Sequence, residues 1–163
     1  MFSKGFTLVE TIIAGAILTT AIVGVAVARF SFTATSSIIP SRLIAAYLTQ
    51  EGMEIVRNIR DTNWLQGRGF AEGFILCSRG CEADYKTGTI EQETPLRPYG
   101  ENFLNIDSNN FYSYSSGAPT EYKRKITIEQ ILADTIRVVV NVYWTARGRS
   151  YELEAEEYLY NWR

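Results

Sequence analysis

The chain contains no histidine. That absence removes the commonest general base at neutral pH, the commonest zinc ligand and the imidazole partner of serine and cysteine nucleophiles. Cysteine is nearly as scarce: two among 163 residues cannot build a four-thiolate metal site or a disulfide-dense scaffold. With only four prolines, a collagen-like or low-complexity fibre is excluded, and a hydrophobic content of 46% rules out a wholly disordered chain. A net charge of −2 opposes a strongly basic nucleic-acid binder. Any chemistry would have to run on carboxylates, lysine or tyrosine. An enzyme is therefore the weaker expectation, and no cofactor or metal site is expected.

What is present is unevenly distributed. From Phe6 to Ala28 the only charge is Glu10, flanked by Lys4 and Arg29. Beyond Pro40 the chain carries 14 basic and 17 acidic residues, a balance of −3, and reads as water-soluble. A helix over the apolar segment would run about 35 Å, enough to cross a hydrocarbon core of about 30 Å. Lys4 on its amino side places the soluble part outside the cytoplasm. A secretory signal is one reading, since Ala26-Val27-Ala28 supplies a small-x-small site. The apolar run is too long for that design, however, and a carboxylate near its start is foreign to it. A plain anchor explains the length but not Glu10, which costs about 2.5–3.5 kcal/mol to bury in hydrocarbon.

Lys4-Gly5-Phe6-Thr7-Leu8-Val9-Glu10 resembles the class III signal of type IV pilins and type II secretion pseudopilins. The resemblance implies a leader of residues 1–5, cut on the cytoplasmic side between Gly5 and Phe6, leaving 158 residues. It further implies N-methylation at Phe6 and an assembly role for Glu10. The electrostatics agree. A new α-amine and a carboxylate are each costly alone in an apolar place, and each favours meeting the other on a neighbouring staggered helix. Glu10 would then set register, as a single buried polar residue does in a coiled coil. Glycine before the cut lets a protease cleft approach the backbone.

Residues 6–35 are accordingly expected to form a transmembrane and assembly helix, and 36–163 a globular head. Pro40 predicts a kink or break near 36–40, with the helix resuming at Ser41 and running to about 63. Ile44, Leu48, Gly52, Ile55 and Ile59 form one stripe with Val56 beside it, while Arg57 lies opposite and is expected to pair with Asp61. Around Cys77-Ser78-Arg79-Gly80-Cys81 a hairpin is expected, with Arg79-Gly80 in its turn. Outside the cytoplasm Cys77 and Cys81 can close a small disulfide ring; buried or free thiols are the alternative. Asp107-Ser108-Asn109-Asn110 offers oxygen atoms, but its spacing misses the calcium-loop pattern and reads as a turn.

The end of the chain alternates apolar and polar residues. Ile126 and Ile128 are followed by Ile136 through Trp144 and then by Tyr151, Leu153 and Ala155, which predicts an antiparallel meander over 123–160. Its pattern breaks at Glu156-Glu157, where a bulge is expected. The helix stripe would cover the apolar face of this sheet. The expected fold class is therefore α+β, a long N-terminal helix on an antiparallel sheet, which resembles the pilin fold. Gly52 to Asp61 and the meander are also similar to minor pilin-like proteins or pseudopilins.

The expected function is a structural subunit of an extracytoplasmic filament, a type IV pilus or a type II secretion pseudopilus, made as a membrane-held precursor. Its expected partners are other pilin or pseudopilin subunits, the prepilin peptidase and methyltransferase, the inner-membrane assembly platform, and membrane lipid before assembly. The competing expectation is a single-pass tethered binding domain that never polymerises. The head's charge opposes a nucleic-acid partner, and Glu156 and Glu157 should point to opposite faces of a strand, poorly placed as an acid/base pair.

Overall fold

The computed structural model describes residues 5, 7–36, 38–88, 96–115 and 117–162, with the backbone alone for 30–36 and 38. It divides into two units, residues 1–40 and Ser41–Arg163. The fold is α+β: a long apolar N-terminal helix and a seven-stranded antiparallel sheet.

Helix α1 spans Leu8–Ser36. Its first 22 residues, Leu8–Arg29, are long and apolar enough to cross a membrane, rising about 33 Å. Isoleucine, leucine and valine occupy every side of it, so the surface is apolar all round, without a polar stripe. Its hydroxyls are satisfied within the helix. Thr19 donates to the Gly15 and Ala16 carbonyls at 3.0 Å, and Thr20 to those of Ala16 and Ile17 at 2.9 Å. A threonine bonded in this way costs little in hydrocarbon.

Helix α2 spans Ile38–Leu65. It begins earlier than Ser41, because Pro40 falls in its first turn, where a missing N–H leaves no helical hydrogen bond unmade. Ser41 is thus inside the helix. Its hydroxyl donates to Glu121, and its carbonyl accepts the Tyr122 hydroxyl at 3.2 Å.

In the second unit a 3₁₀ helix, Phe74–Arg79, precedes strands β1 (Cys81–Glu82), β2 (Arg97–Pro98), β3 (Phe103–Ile106), β4 (Tyr112–Ser113), β5 (Ala118–Leu132), β6 (Thr135–Ala146) and β7 (Arg149–Tyr160). The long strands form the expected meander, β5 pairing with β6 and β6 with β7. On the other edge of β5 lie β1 and β3, which carry β2 and β4. Tyr122, Ile126, Ile128, Ile136, Val138, Val140, Val142 and Trp144 line one face and are buried. From α2, Ala45, Leu48, Met53, Ile55 and Val56 are buried in the same core, with Ile44 and Ile59 half-buried beside it.

Helix and sheet approach closely at Gly52. A Cβ there would stand 2.9 Å from Val140 Cγ1 and 3.2 Å from Arg124 Cδ. Glycine costs about 1 kcal/mol relative to alanine within a helix. The cost is offset by the depth to which α2 seats on β6.

Three local expectations are overturned. Residues 74–79 form a 3₁₀ helix, not the first arm of a hairpin. Phe74 and Cys77, three apart, are buried while Ile75 and Leu76 are exposed, which matches three residues per turn. No bulge occurs at Glu156-Glu157, because β7 pairs with β6 in unbroken register from Arg149 to Tyr160. The apparent break in alternation arises because Glu157 occupies an inward position and is neutralised there by Arg57. Arg57 therefore does not pair with Asp61; it also reaches Glu54, and Asp61 is taken by Arg60.

Candidate functional site

The N-terminal motif sits at the mouth of α1. Gly5 is exposed and outside the helix, and Phe6 and residues 1–4 lie outside the described residues. Thr7 is the residue just before the helix. Its Oγ1 accepts the Glu10 N–H at 3.3 Å, while its carbonyl accepts the Thr11 N–H and hydroxyl, each at 3.2 Å. Thr7-Leu8-Val9-Glu10 thus has the spacing of a capping box. Glu10 lies in the first turn, where the exposed N–H groups favour a negative charge. Its carboxylate is exposed and has no ion-pair partner among the described residues. The T-x-x-E pattern carries the signal for capping by Thr7.

In the second unit Cys77 and Cys81 are joined by a disulfide with Cα atoms 4.7 Å apart. The bond links the 3₁₀ helix to β1. No cluster of three or more metal-ligating side chains occurs among the described residues.

Loops between the short strands are held by three buried carboxylates. Glu82 Oε1 accepts the N–H groups of Gly100 and Asn102 at 3.0 Å, and Oε2 accepts the Asn102 amide at 2.9 Å. Asp84 accepts the N–H of Lys86 at 3.1 Å and that of Tyr114 at 3.0 Å. Asp107 accepts the N–H groups of Asn109 and Phe111 and the Tyr85 hydroxyl, the last at 2.7 Å. The Tyr85 hydrogen bond, then those backbone donors, hold the Asp107 carboxyl below its ordinary range. Residues 107–110 are thus a turn whose carboxylate oxygens already serve the loop. Burial pushes the Tyr114 hydroxyl well above its ordinary value, and that hydroxyl donates to the Arg124 carbonyl at 3.1 Å.

Among the described residues Arg124 is the largest fully buried side chain. Nη1 donates to the Leu48 carbonyl at 2.9 Å and to Glu51 at 3.0 Å, and Nη2 to the Ala83 carbonyl at 2.6 Å. It ties α2, β5 and the segment after β1 together. The available signal was its place in the even-numbered row with Ile126 and Ile128. These carboxylates and the arginine are spent mostly on backbone groups, so what they accomplish is the shape of the head. Compared with family models, with curated proteins and with solved structures, the chain matches none.

Proposed function

We propose that the chain is a structural subunit of a type IV pilus or type II secretion pseudopilus. In this reading it is made as a prepilin, cut after Gly5, N-methylated at Phe6 and held in the cytoplasmic membrane with its head outside. It then leaves the membrane for a periplasmic or extracellular filament through the assembly platform. The carrying observation is a lone carboxylate, Glu10, one turn into a helix that is otherwise apolar on every side. In a stacked array that carboxylate meets the α-amine of a neighbour, and desolvation strengthens their attraction. The architecture, an apolar N-terminal helix followed by an antiparallel sheet, is compatible with a pilin.

Mass spectrometry of the membrane-extracted protein tests the processing step, with an N-methyl-phenylalanine terminus expected. A terminus at Arg29 would instead establish ordinary secretory processing and sink the reading.

A second reading is favoured by one observation. Thr7-Leu8-Val9-Glu10 has capping-box spacing, with Thr7 Oγ1 accepting the Glu10 backbone N–H, and a side chain at position 10 that capped the helix in return would require no neighbour. The chain would then be a single-pass tether carrying a binding domain.

A further inference from the structure

Strand β7 is an edge strand: among the described residues it pairs with β6 alone. It runs twelve residues without proline, glycine or bulge, and every one of them is in register with β6. The opposite edges are blunted in the ordinary way. β2 and β4 are two residues each, and β2 contains Pro98. β7 therefore presents a long row of unpaired backbone donors and acceptors.

Its two faces differ in chemistry. Glu152, Glu154 and Glu156 point outward and are exposed. Glu156 meets Arg137 at 2.8 Å, whereas Glu152 and Glu154 meet neutral groups: both accept from the Asn141 amide, each at 2.7 Å, and Glu152 also faces the Tyr143 hydroxyl. Leu153 and Ala155 point inward yet stay half-exposed, because α2 leaves a groove beside the edge. Ala46, Thr49 and Met53 form the opposite wall, and the Arg57–Glu157 pair bridges it at one end.

We infer that this edge accepts an extended segment of another protein, added as an eighth strand, with lysine or arginine alternating with apolar residues. Backbone pairing to β7 would supply the ladder. Apolar side chains would enter the groove over Leu153 and Ala155, and cationic ones would stand opposite Glu152 and Glu154 on the outer face. Pairing of β7 with the β7 of a second copy is opposed by like charge. Antiparallel pairing of two β7 strands would set glutamate against glutamate along the outer row. Glutamates serving only to repel other edges would leave the half-exposed Leu153 and Ala155 without a role. The inference rests on the head alone and holds whether the chain polymerises or remains a tether.

The test uses the full chain in detergent micelles and a short capped peptide alternating lysine and valine. Saturable binding is expected, with slowed hydrogen exchange at β7 amides. Affinity should fall by about tenfold for an isomeric peptide with its lysines clustered at one end. A similar fall is expected for a peptide N-methylated along one edge and for the Glu154→Lys protein. The peptide variants leave the protein untouched, so the result does not depend on that substitution folding. Equal binding of the clustered isomer, or of a glutamate–valine peptide, would overturn the inference in favour of unspecific attraction. So would unprotected β7 amides at saturation, or protection of β7 by chain self-association that the peptide does not displace.

Discussion

Arg57 and Glu157 stand 100 residues apart and meet in two parallel hydrogen bonds, Nε to Oε1 at 3.1 Å and Nη2 to Oε2 at 2.6 Å. One lies on α2 and the other on β7, so the pair joins the helix to the outermost strand. Glu157 comes first among the causes that raise the Arg57 pKa. The Arg57 side chain is 41% exposed, and solvent screening keeps the coupling modest despite the fork geometry. A double-mutant cycle between Arg57→Met and Glu157→Gln, read by chemical denaturation, should give a coupling of about 1 kcal/mol. Additive effects would show that the pair contributes nothing beyond packing.

Gly52 makes a sharper prediction because two effects oppose. Alanine is the better helix former by about 1 kcal/mol. Its Cβ, however, would lie 2.9 Å from Val140 Cγ1 in a packed core. Overpacking costs about 1–3 kcal/mol, so Gly52→Ala should be destabilising on balance. In a Val140→Ala background the added methyl has room, and the same substitution should become neutral or stabilising. A stabilising Gly52→Ala in the wild-type chain would refute the close seating of α2 on β6.

These cases show what the sequence made legible. The apolar α1 is marked by the length and composition of its run, while the amphipathic α2 and the three long strands each repeat a local period, 3.6 or 2, over more than two turns or several alternations. The same period misled where one residue broke it for a distant reason: Glu157 looked like a bulge because its partner is on α2. The 3₁₀ helix looks locally like a strand because Phe74-Ile75-Leu76-Cys77 is a short apolar run, and four residues cannot separate period three from period two. Glu82, Asp84, Asp107 and Arg124 carry no periodic mark beyond their row positions. Most of their partners are backbone groups brought near by the fold, and nothing in a local window announces them.

Arg124 and Glu51 should respond unequally to loss. Glu51→Ala leaves a fully buried guanidinium with carbonyl partners but no counter-charge, a loss of about 3 kcal/mol. Arg124→Met removes the charge itself and keeps much of the volume, so the remaining cost comes from the Ala83 carbonyl, about 1–2 kcal/mol. Denaturant midpoints for the two variants test the order. If Arg124→Met is the more damaging, the guanidinium's hydrogen bonds outweigh its charge.

Stability should fall at both ends of the pH range. Asp107 is held low chiefly by Tyr85, and Glu156 chiefly by Arg137. Each therefore adds stability that is complete above the unfolded carboxylate range, about pH 4–5, and is lost as pH falls through the lower folded value. Tyr143 is pushed up to about 12, first by burial and then by Glu152. Its unfolded value is about 10, so the unfolded chain ionises first and stability drains away between about pH 10 and 12. Asp107→Asn should cost stability at pH 7 and little at pH 2, while Tyr143→Phe should flatten the alkaline limb. Unfolding midpoints across pH check both, and an unchanged acid limb in Asp107→Asn would remove that carboxylate from the account.

Thr7 and Glu10 separate filament subunit from tether. Thr7→Val keeps the shape and deletes the hydroxyl oxygen that accepts the Glu10 N–H, a capping loss of about 1 kcal/mol. Glu10→Gln keeps size and hydrogen bonding but deletes the charge, and Glu10→Ala deletes both. If the carboxylate pairs with a neighbour's amine, removing it strands that amine in an apolar place at a cost of about 3–5 kcal/mol. Incorporation into sheared filaments, relative to the membrane pool, should then fall by at least about tenfold for Glu10→Gln and Glu10→Ala. Thr7→Val should assemble near the wild-type level, and mass spectrometry should find all three variants still cut after Gly5. Membrane insertion should be unimpaired for both Glu10 variants, since a costly group leaves the hydrocarbon. If capping is the whole role of the motif, Thr7→Val and Glu10→Ala should fail together, with Glu10→Gln close to wild type. Normal incorporation of all three would remove Glu10 as an assembly determinant and leave the tether as the better account of α1.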